Sequence, residues 1–315
     1  MRAANETAAK IPLYLDPDWL SLRVAIAQIY DFEPDRILCG AGSMELIGCL
    51  IRAFAGPEDR ILGGEYGYAY VSSASAQVEA DYVTAREADL SVSVDEVLAA
   101  VTDRTRIVFI CHPGSPTGTP IKNSDILRLR HHLQRNIMLV VDQAYAELSD
   151  SGQDPAEIFA LVQRGDTVAL RTFSKAYGLA GARVGWGYFP HGTAAEIRKI
   201  LIPNNIPAPS QAMADAAMLD QKHMAEIIQK TTVIRDRFAA DCRKLGLDVP
   251  QSHTNFVLLR FATAQQMQVA DNALRADGLM MRPMGGYWLH NCLHATICSD
   301  EIMRNALAVL KGVLS

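Results

Sequence analysis

The chain is expected to fold as an α/β protein, with a large domain built on a mainly parallel sheet between helices and a smaller α+β domain after it. Two observations predict this. Short, wholly apolar runs alternate with helical patterns through the first two thirds, as strands covered on both faces require. The composition then breaks at Pro203-Asn-Asn-Ile-Pro-Ala-Pro-Ser210, after which long helical patterns accompany a few strands. The expected division is an N-terminal arm at 1–18, a large domain at 19–205 and a small domain at 206–315.

The bulk numbers agree with an enzyme-sized globular chain. It has 315 residues, of which 49% are hydrophobic and 21% charged, enough to bury a large core. A net charge of -5 argues against nucleic acid as a partner. No stretch approaches a membrane-spanning length, and the N-terminus lacks the apolar core of a signal peptide. Six cysteines (39, 49, 111, 242, 292 and 298) include no CxxC pair, so buried free thiols in a reducing cytoplasm are expected.

Taken in order, the first twenty residues read as an arm with a polar turn at Tyr14-Leu-Asp-Pro-Asp18. Leu22, Ala25, Ile26 and Ile29 space a helix over 19–29. Ile37-Leu-Cys39 is a short strand, and Gly40-Ala-Gly-Ser43 opens a helix bearing Leu46, Ile47, Leu50 and Ile51. Such a turn is either a plain helix start capped by Ser43 or an anion site made of backbone N–H groups. Strands are expected at 60–62, 107–111, 137–141 and 167–170, and Asn123 and Ser124 are expected to cap an intervening helix. A further run from Val184 to Tyr188 follows the lysine turn. Beyond residue 210 come strands at 256–261 and 295–298, with a helix at 265–276.

In parallel sheets, function gathers at the carboxyl ends of strands. Three unusual loops sit there. His112-Pro-Gly-Ser-Pro-Thr-Gly-Thr-Pro120 is built of turn formers and is either a surface loop or a ligand loop. Asp142 ends a buried strand, so it must be paired or protonated, or else serve as a cap. Arg171-Thr-Phe-Ser-Lys-Ala-Tyr-Gly-Leu-Ala-Gly-Ala-Arg-Val-Gly-Trp186 puts Lys175 in a turn of small and hydroxyl residues, with Arg183 eight residues on as a possible anion grip. His131-His132 lie on a polar helical face and are read as solvated rather than metal-binding, and no metal site is expected.

The glycine turn, the PTG loop, Asp-x-Ala-Tyr and Ser-Lys with its following arginine, in that order, resemble the fold-type I pyridoxal-phosphate enzymes. The lysine motif is most similar to that of the histidinol-phosphate aminotransferases, and the resemblance spans nearly the whole chain. It implies pyridoxal 5'-phosphate as cofactor and a ping-pong transfer of an amino group. By the same resemblance Lys175 forms the Schiff base, Asp142 pairs with the pyridine nitrogen and Tyr145 bonds the phenolic oxygen. Tyr66 matches the aromatic that stacks on the ring, with Tyr68 as the other candidate. The phosphate falls to the N–H groups of Ser43 and Met44, to Thr172, Ser174 and Arg183, and to Tyr14 lent by a partner subunit. A homodimer with shared active sites is implied.

The pattern departs from the family in three places. Ser115 stands where the family has an asparagine on the phenolic oxygen, and it has fewer donors to give. His294 stands where an arginine normally forks onto the substrate carboxylate, whereas Arg282 matches a second family arginine. The arm is also shorter than usual. These departures sit on the substrate side and point either to an amine or amino alcohol, phosphorylated or not, or to a carboxylate held by Arg282 instead. A decarboxylase or lyase resembling the threonine-phosphate decarboxylases is the alternative enzyme reading. A decayed cofactor-binding paralogue is the non-enzyme alternative, although Lys175, Asp142 and Arg183 all persist.

Overall fold

Uninterrupted apolar strands need cover on both faces, and the helices provide it. The computed structural model describes residues 2–9 and 11–314. Its strands in chain order are β1 (Ile37–Gly40), β2 (Arg60–Gly64), β3 (Asp81–Ala85), β4 (Glu87–Ala88), β5 (Ser91–Val92) and β6 (Thr105–Cys111). After these come β7 (Met138–Asp142), β8 (Thr167–Thr172), β9 (Gly185–Tyr188), β10 (Phe256–Arg260), β11 (Arg282–Met284) and β12 (Leu289–Thr296). One seven-stranded sheet has the order β1-β9-β8-β7-β6-β2-β3. From β8 to β3 the pairing is parallel, and β9 runs antiparallel to both of its neighbours. Every residue of β7 and β8 is buried.

The reversal of β9 has a local consequence. Gly185 pairs with Gly40 on one side and Thr172 on the other. Its amino end therefore lies on the same sheet edge as the carboxyl ends of β1, β6, β7 and β8. A Cβ on Gly185 would stand 2.2 Å from Ser43 N, so only glycine lets the helix Ser43–Phe54 start there.

Strands β10, β12 and β11 form a separate antiparallel sheet covered by helices Gln221–Lys244, Ala264–Ala276 and Asp300–Leu314. It has its own core of Phe238, Val257, Leu259, Leu274, Leu293 and Leu310. Ile206, Ala214 and Met218 belong instead to the core of the large sheet. The division expected at 205 therefore moves past helix Ala208–Leu219, because that helix packs backwards onto helix Leu20–Tyr30. The N-terminal stretch also differs from a free arm. Residues Arg2–Ala8 are helical and lie against Ala208–Leu219.

Two local expectations change as well. The helix expected behind Asn123 and Ser124 starts at Asn123 with Lys122 as its N-cap. The Asn123 amide turns inward to His112, the Asp154 carbonyl and Glu157. Strand β3 went unpredicted because it is half exposed and lacks an apolar run. All six cysteines are free, five of them buried, and none of the described helices is long and apolar enough to cross a membrane.

Candidate active site

Five segments from one edge of the sheet, the Tyr68 stretch after β2 among them, line a pocket of about 240 Å³. The turn after β1 brings Ser43 and Met44. The loop after β6 brings Pro113 and Ser115, the end of β7 brings Asp142, Ala144 and Tyr145, and the stretch after β8 brings Thr172, Ser174, Lys175 and Arg183. Residues more than a hundred positions apart thus meet because their strands are neighbours.

One end of the pocket is built for an anion. The helix Ser43–Phe54 starts here without a side-chain cap, so Ser43 is its first residue and not its N-cap. Its first N–H groups are left to whatever occupies the pocket. Arg183 adopts a left-handed backbone conformation (φ 55°), uncommon for a non-glycine residue and often found at functional sites. That turn lets Nη1 donate to Ser174 Oγ (3.3 Å) and the Ala180 carbonyl (3.0 Å). A Cβ on Gly42 would lie 2.4 Å from the Arg183 guanidinium, so the glycine makes way for it. Behind the turn, Glu45 Oε2 accepts from Ala41 N–H and from Asn205 Nδ2 (both 2.6 Å), and Asn205 Oδ1 accepts from Trp19 Nε1 (3.0 Å). Neither Glu45 nor Asn205 carried a signal in the sequence.

The other end wants a cation or an N–H donor. Asp142 is buried, and Ala144 N–H donates to its Oδ1 at 3.0 Å. Burial pushes its carboxyl up to about 6, offset in part by Ala144 N–H and the Lys175 ammonium. Lys175 Nζ lies 4.8 Å over the ring of Tyr145, a cation–π distance. Tyr145 packs edge-on against Phe256 (5.2 Å), which in turn packs at a tilt against His294 (4.1 Å). Burial, with Lys175 and Arg282 nearby, lowers His294 to about 4, so its imidazole is neutral.

The structure gathers nine of the sequence-selected residues around this pocket: Ser43, Met44, Ser115, Asp142, Tyr145, Thr172, Ser174, Lys175 and Arg183. It does not bring the others there. Tyr66 lines a smaller neighbouring space, and Tyr68 takes the place on the pocket wall. The two tyrosines flank Gly67, and only the path of the chain decides which one turns in. Tyr14 is 93% exposed and stands well away, beside Leu13, Asp16 and Gln211. Arg282 is exposed on β11, in register with His294 on β12. Cys111 is an unpredicted wall residue, its thiol kept neutral by burial. A larger cleft of about 820 Å³ opens at the opposite edge of the sheet, where two of its cations, Arg36 and Arg106, are already paired with Glu33 and Asp59.

The aminotransferase class I and II family matches this chain over residues 1–310. A histidinol-phosphate aminotransferase from Paramagnetospirillum magneticum is 38% identical over 314 residues, covering 99% of this chain and 86% of that protein. One from Ruegeria pomeroyi is 37% identical over 302 residues, covering 96% and 82%. The crystal structure of the Sinorhizobium meliloti histidinol-phosphate aminotransferase in complex with pyridoxal-5'-phosphate superposes with a TM-score of 0.94 at 28% identity, covering 99% of this chain and 86% of that one. A Thermus thermophilus aspartate aminotransferase mutant shares the fold at TM-score 0.87 and 18% identity.

The pocket fits the cofactor of this family on its own chemistry. It offers an anion cradle at one end, a buried carboxylate needing an N–H partner at the other, and an amine between them. The chain belongs to the class I and II aminotransferases and is a pyridoxal-phosphate-dependent transaminase.

Proposed function

We propose that this transaminase takes the amino group from a phosphorylated amino alcohol of the histidinol-phosphate kind and passes it to a keto acid. The observation that carries the substrate side is His294. A neutral imidazole, packed against Phe256 close to Lys175, stands where the resembling family forks an arginine onto a carboxylate. It cannot make a bidentate, charge-assisted pair, so a substrate without an α-carboxylate loses little here. Arg282, in register with His294, is the cation left for a phosphate or an acceptor carboxylate. The relatives at 37–38% identity support the same substrate class.

When bound, the cofactor supplies an electron sink for the carbanion formed at the substrate's α-carbon. In this reading Lys175 Nζ holds the cofactor aldehyde and later moves the proton off the α-carbon. Asp142 keeps a proton on the ring nitrogen, and Tyr145 and Ser115 bond the phenolic oxygen. Tyr68, on the pocket wall, covers the ring face that was first expected of Tyr66. Ser43 and Met44 N–H, Thr172, Ser174 and Arg183 hold the phosphate.

The family resemblance assigns Tyr14 to the phosphate of a partner subunit in a homodimer, and its exposed place away from its own pocket is compatible with that role. The free, mostly buried cysteines suit a reducing cytoplasm.

The test compares histidinol phosphate with glutamate in the wild type and in His294→Arg. The variant should gain glutamate kcat/KM by about tenfold to a hundredfold, the worth of a charge-assisted pair. Equal rates with glutamate in both proteins would contradict the assignment. Keto product with no released carbon dioxide separates transamination from decarboxylation.

A further inference from the structure

Behind the Ser115 wall of the cofactor pocket lies a second, smaller space of about 20 Å³, room for one water molecule. Cys111 and Ser115 line both spaces. Across the small one stands Glu87, with Tyr66, Thr117 and Thr119 completing its polar lining. The chain is cut back to admit this carboxyl, since a Cβ on Gly64 would lie 2.5 Å from Glu87 Oε1.

Glu87 has one protein donor here, Tyr66 N–H at 3.3 Å. The groups facing it are Glu65 and Tyr66 from the loop after β2, Tyr82 from β3 and Cys111 from β6. None of these is a cation; Arg260 reaches only as far as Tyr66. Burial accordingly pushes the Glu87 carboxyl up to about 7, with Tyr66 N–H opposing and Glu65 adding to the rise. The two threonines are already committed. Thr119 Oγ1 donates to the Leu90 carbonyl (2.6 Å), so at the 2.9 Å Thr117–Thr119 contact the proton comes from Thr117. The Tyr66 phenol is bonded to Glu65, so among the cavity's hydroxyls that leaves Ser115 to respond to the state of Glu87.

We propose that Glu87 is a positioning residue for Ser115: its carboxyl, bridged across the small cavity by one water, sets the direction of the Ser115 hydroxyl proton and the charge behind the phenolic-oxygen side of the cofactor. As a neutral acid, Glu87 donates to the water, the water donates to Ser115 Oγ, and the Ser115 proton turns into the cofactor pocket. As a carboxylate it accepts from the water, and the Ser115 proton is free to turn back. The inference rests on the assignment of Ser115 to the phenolic oxygen.

The experiment is a pH titration of the visible cofactor band in the holoenzymes of the wild type, Glu87→Gln, Ser115→Ala and the double variant. Glutamine keeps an acceptor for Tyr66 N–H. The wild-type curve should carry an inflection near neutral pH that Glu87→Gln lacks. Removal of the negative charge should also lower the proton affinity reported by the band by about threefold to tenfold. In the Ser115→Ala background the Glu87→Gln effect should shrink. Superimposable wild-type and Glu87→Gln curves would overturn the proposal, and so would an effect undiminished without Ser115. A Ser115→Ala curve identical to wild type would instead remove the Ser115 assignment beneath it. Infrared difference spectra of wild type minus Glu87→Gln give a readout without turnover. A carboxylic-acid band should disappear as pH rises through about 7, and its absence at every pH also refutes the idea.

Discussion

Asp142 shows how a residue can be costly to the empty fold and useful to the loaded enzyme. Its carboxyl titrates near 6 in the folded chain against 3.8 when free. The folded form therefore binds this proton more tightly than the unfolded form, so stability falls as pH rises between those values and stays lower above them. Asparagine removes the charge. Apoprotein Asp142→Asn should be more stable than wild type by roughly 1–3 kcal/mol near pH 7.5, with a much smaller gain near pH 4. Melting curves of the two apoproteins at both pH values check this, and an equal gain at both would show that the charge is not the cause. In the proposed mechanism the same change lowers turnover, because the ring nitrogen loses the partner that keeps it protonated.

At the level of elements, the cradle depends on how closely strand β9 and helix Ser43–Phe54 approach each other. Gly185 meets the Ser43 and Gly42 backbones, which cannot rotate away as a side chain could. Gly185→Ala should cost about 1–3 kcal/mol in a urea melt, the usual range for overpacking. It should also weaken cofactor binding at least about tenfold, because the first N–H groups of the helix are displaced. Gly56→Ala is the control: nothing lies within 4 Å of its added Cβ, and it should bind cofactor like wild type. A Gly185→Ala protein with unchanged cofactor affinity would mean that the helix start holds no phosphate.

For the whole molecule, two buried histidines set an acid limit. His112 is lowered to about 4 by burial; it accepts from Ile121 N–H (3.2 Å) at Nδ1, which leaves Nε2 to donate to the side-chain Oδ1 of Asn123 (3.2 Å). His294 is lowered to a similar value. Groups depressed in this way contribute stability that is complete above about 6.5 and is lost as pH falls towards 4. His112→Gln can keep both hydrogen bonds, so its melting temperature should fall less steeply than wild type across that window. An unchanged slope would place the acid sensitivity elsewhere. The proposed dimer has its own test. Mixing Lys175→Ala with Tyr14→Phe subunits should yield hybrids with one intact site, and activity above that of either parent. Activity no higher than the parents' sum would argue against shared sites.

Much of the site was legible in the residues themselves. Lys175 and Asp142 stand out because a charge at or just beyond the end of an apolar strand is expensive unless something uses it. Arg183 stands out because it follows hydroxyl and flexible residues as an anion grip would, and Tyr145 through the family resemblance. The strands β6, β7 and β8 are visible for a related reason: residues covered on both faces must be apolar throughout. Tertiary structure alone decided features that depend on where distant segments meet. The resemblance favours Tyr66 over Tyr68, and only the path of the chain after β2 puts Tyr68 on the pocket wall. The domain division moved past Leu219 because the helix after the proline-rich break packs backwards, which composition does not encode. Glu45, Asn205 and Glu87 act through partners as far as 186 residues away, so no local pattern marks them. Local burial cost is written into each run of residues, whereas the pairing of remote polar groups is a property of the assembled fold.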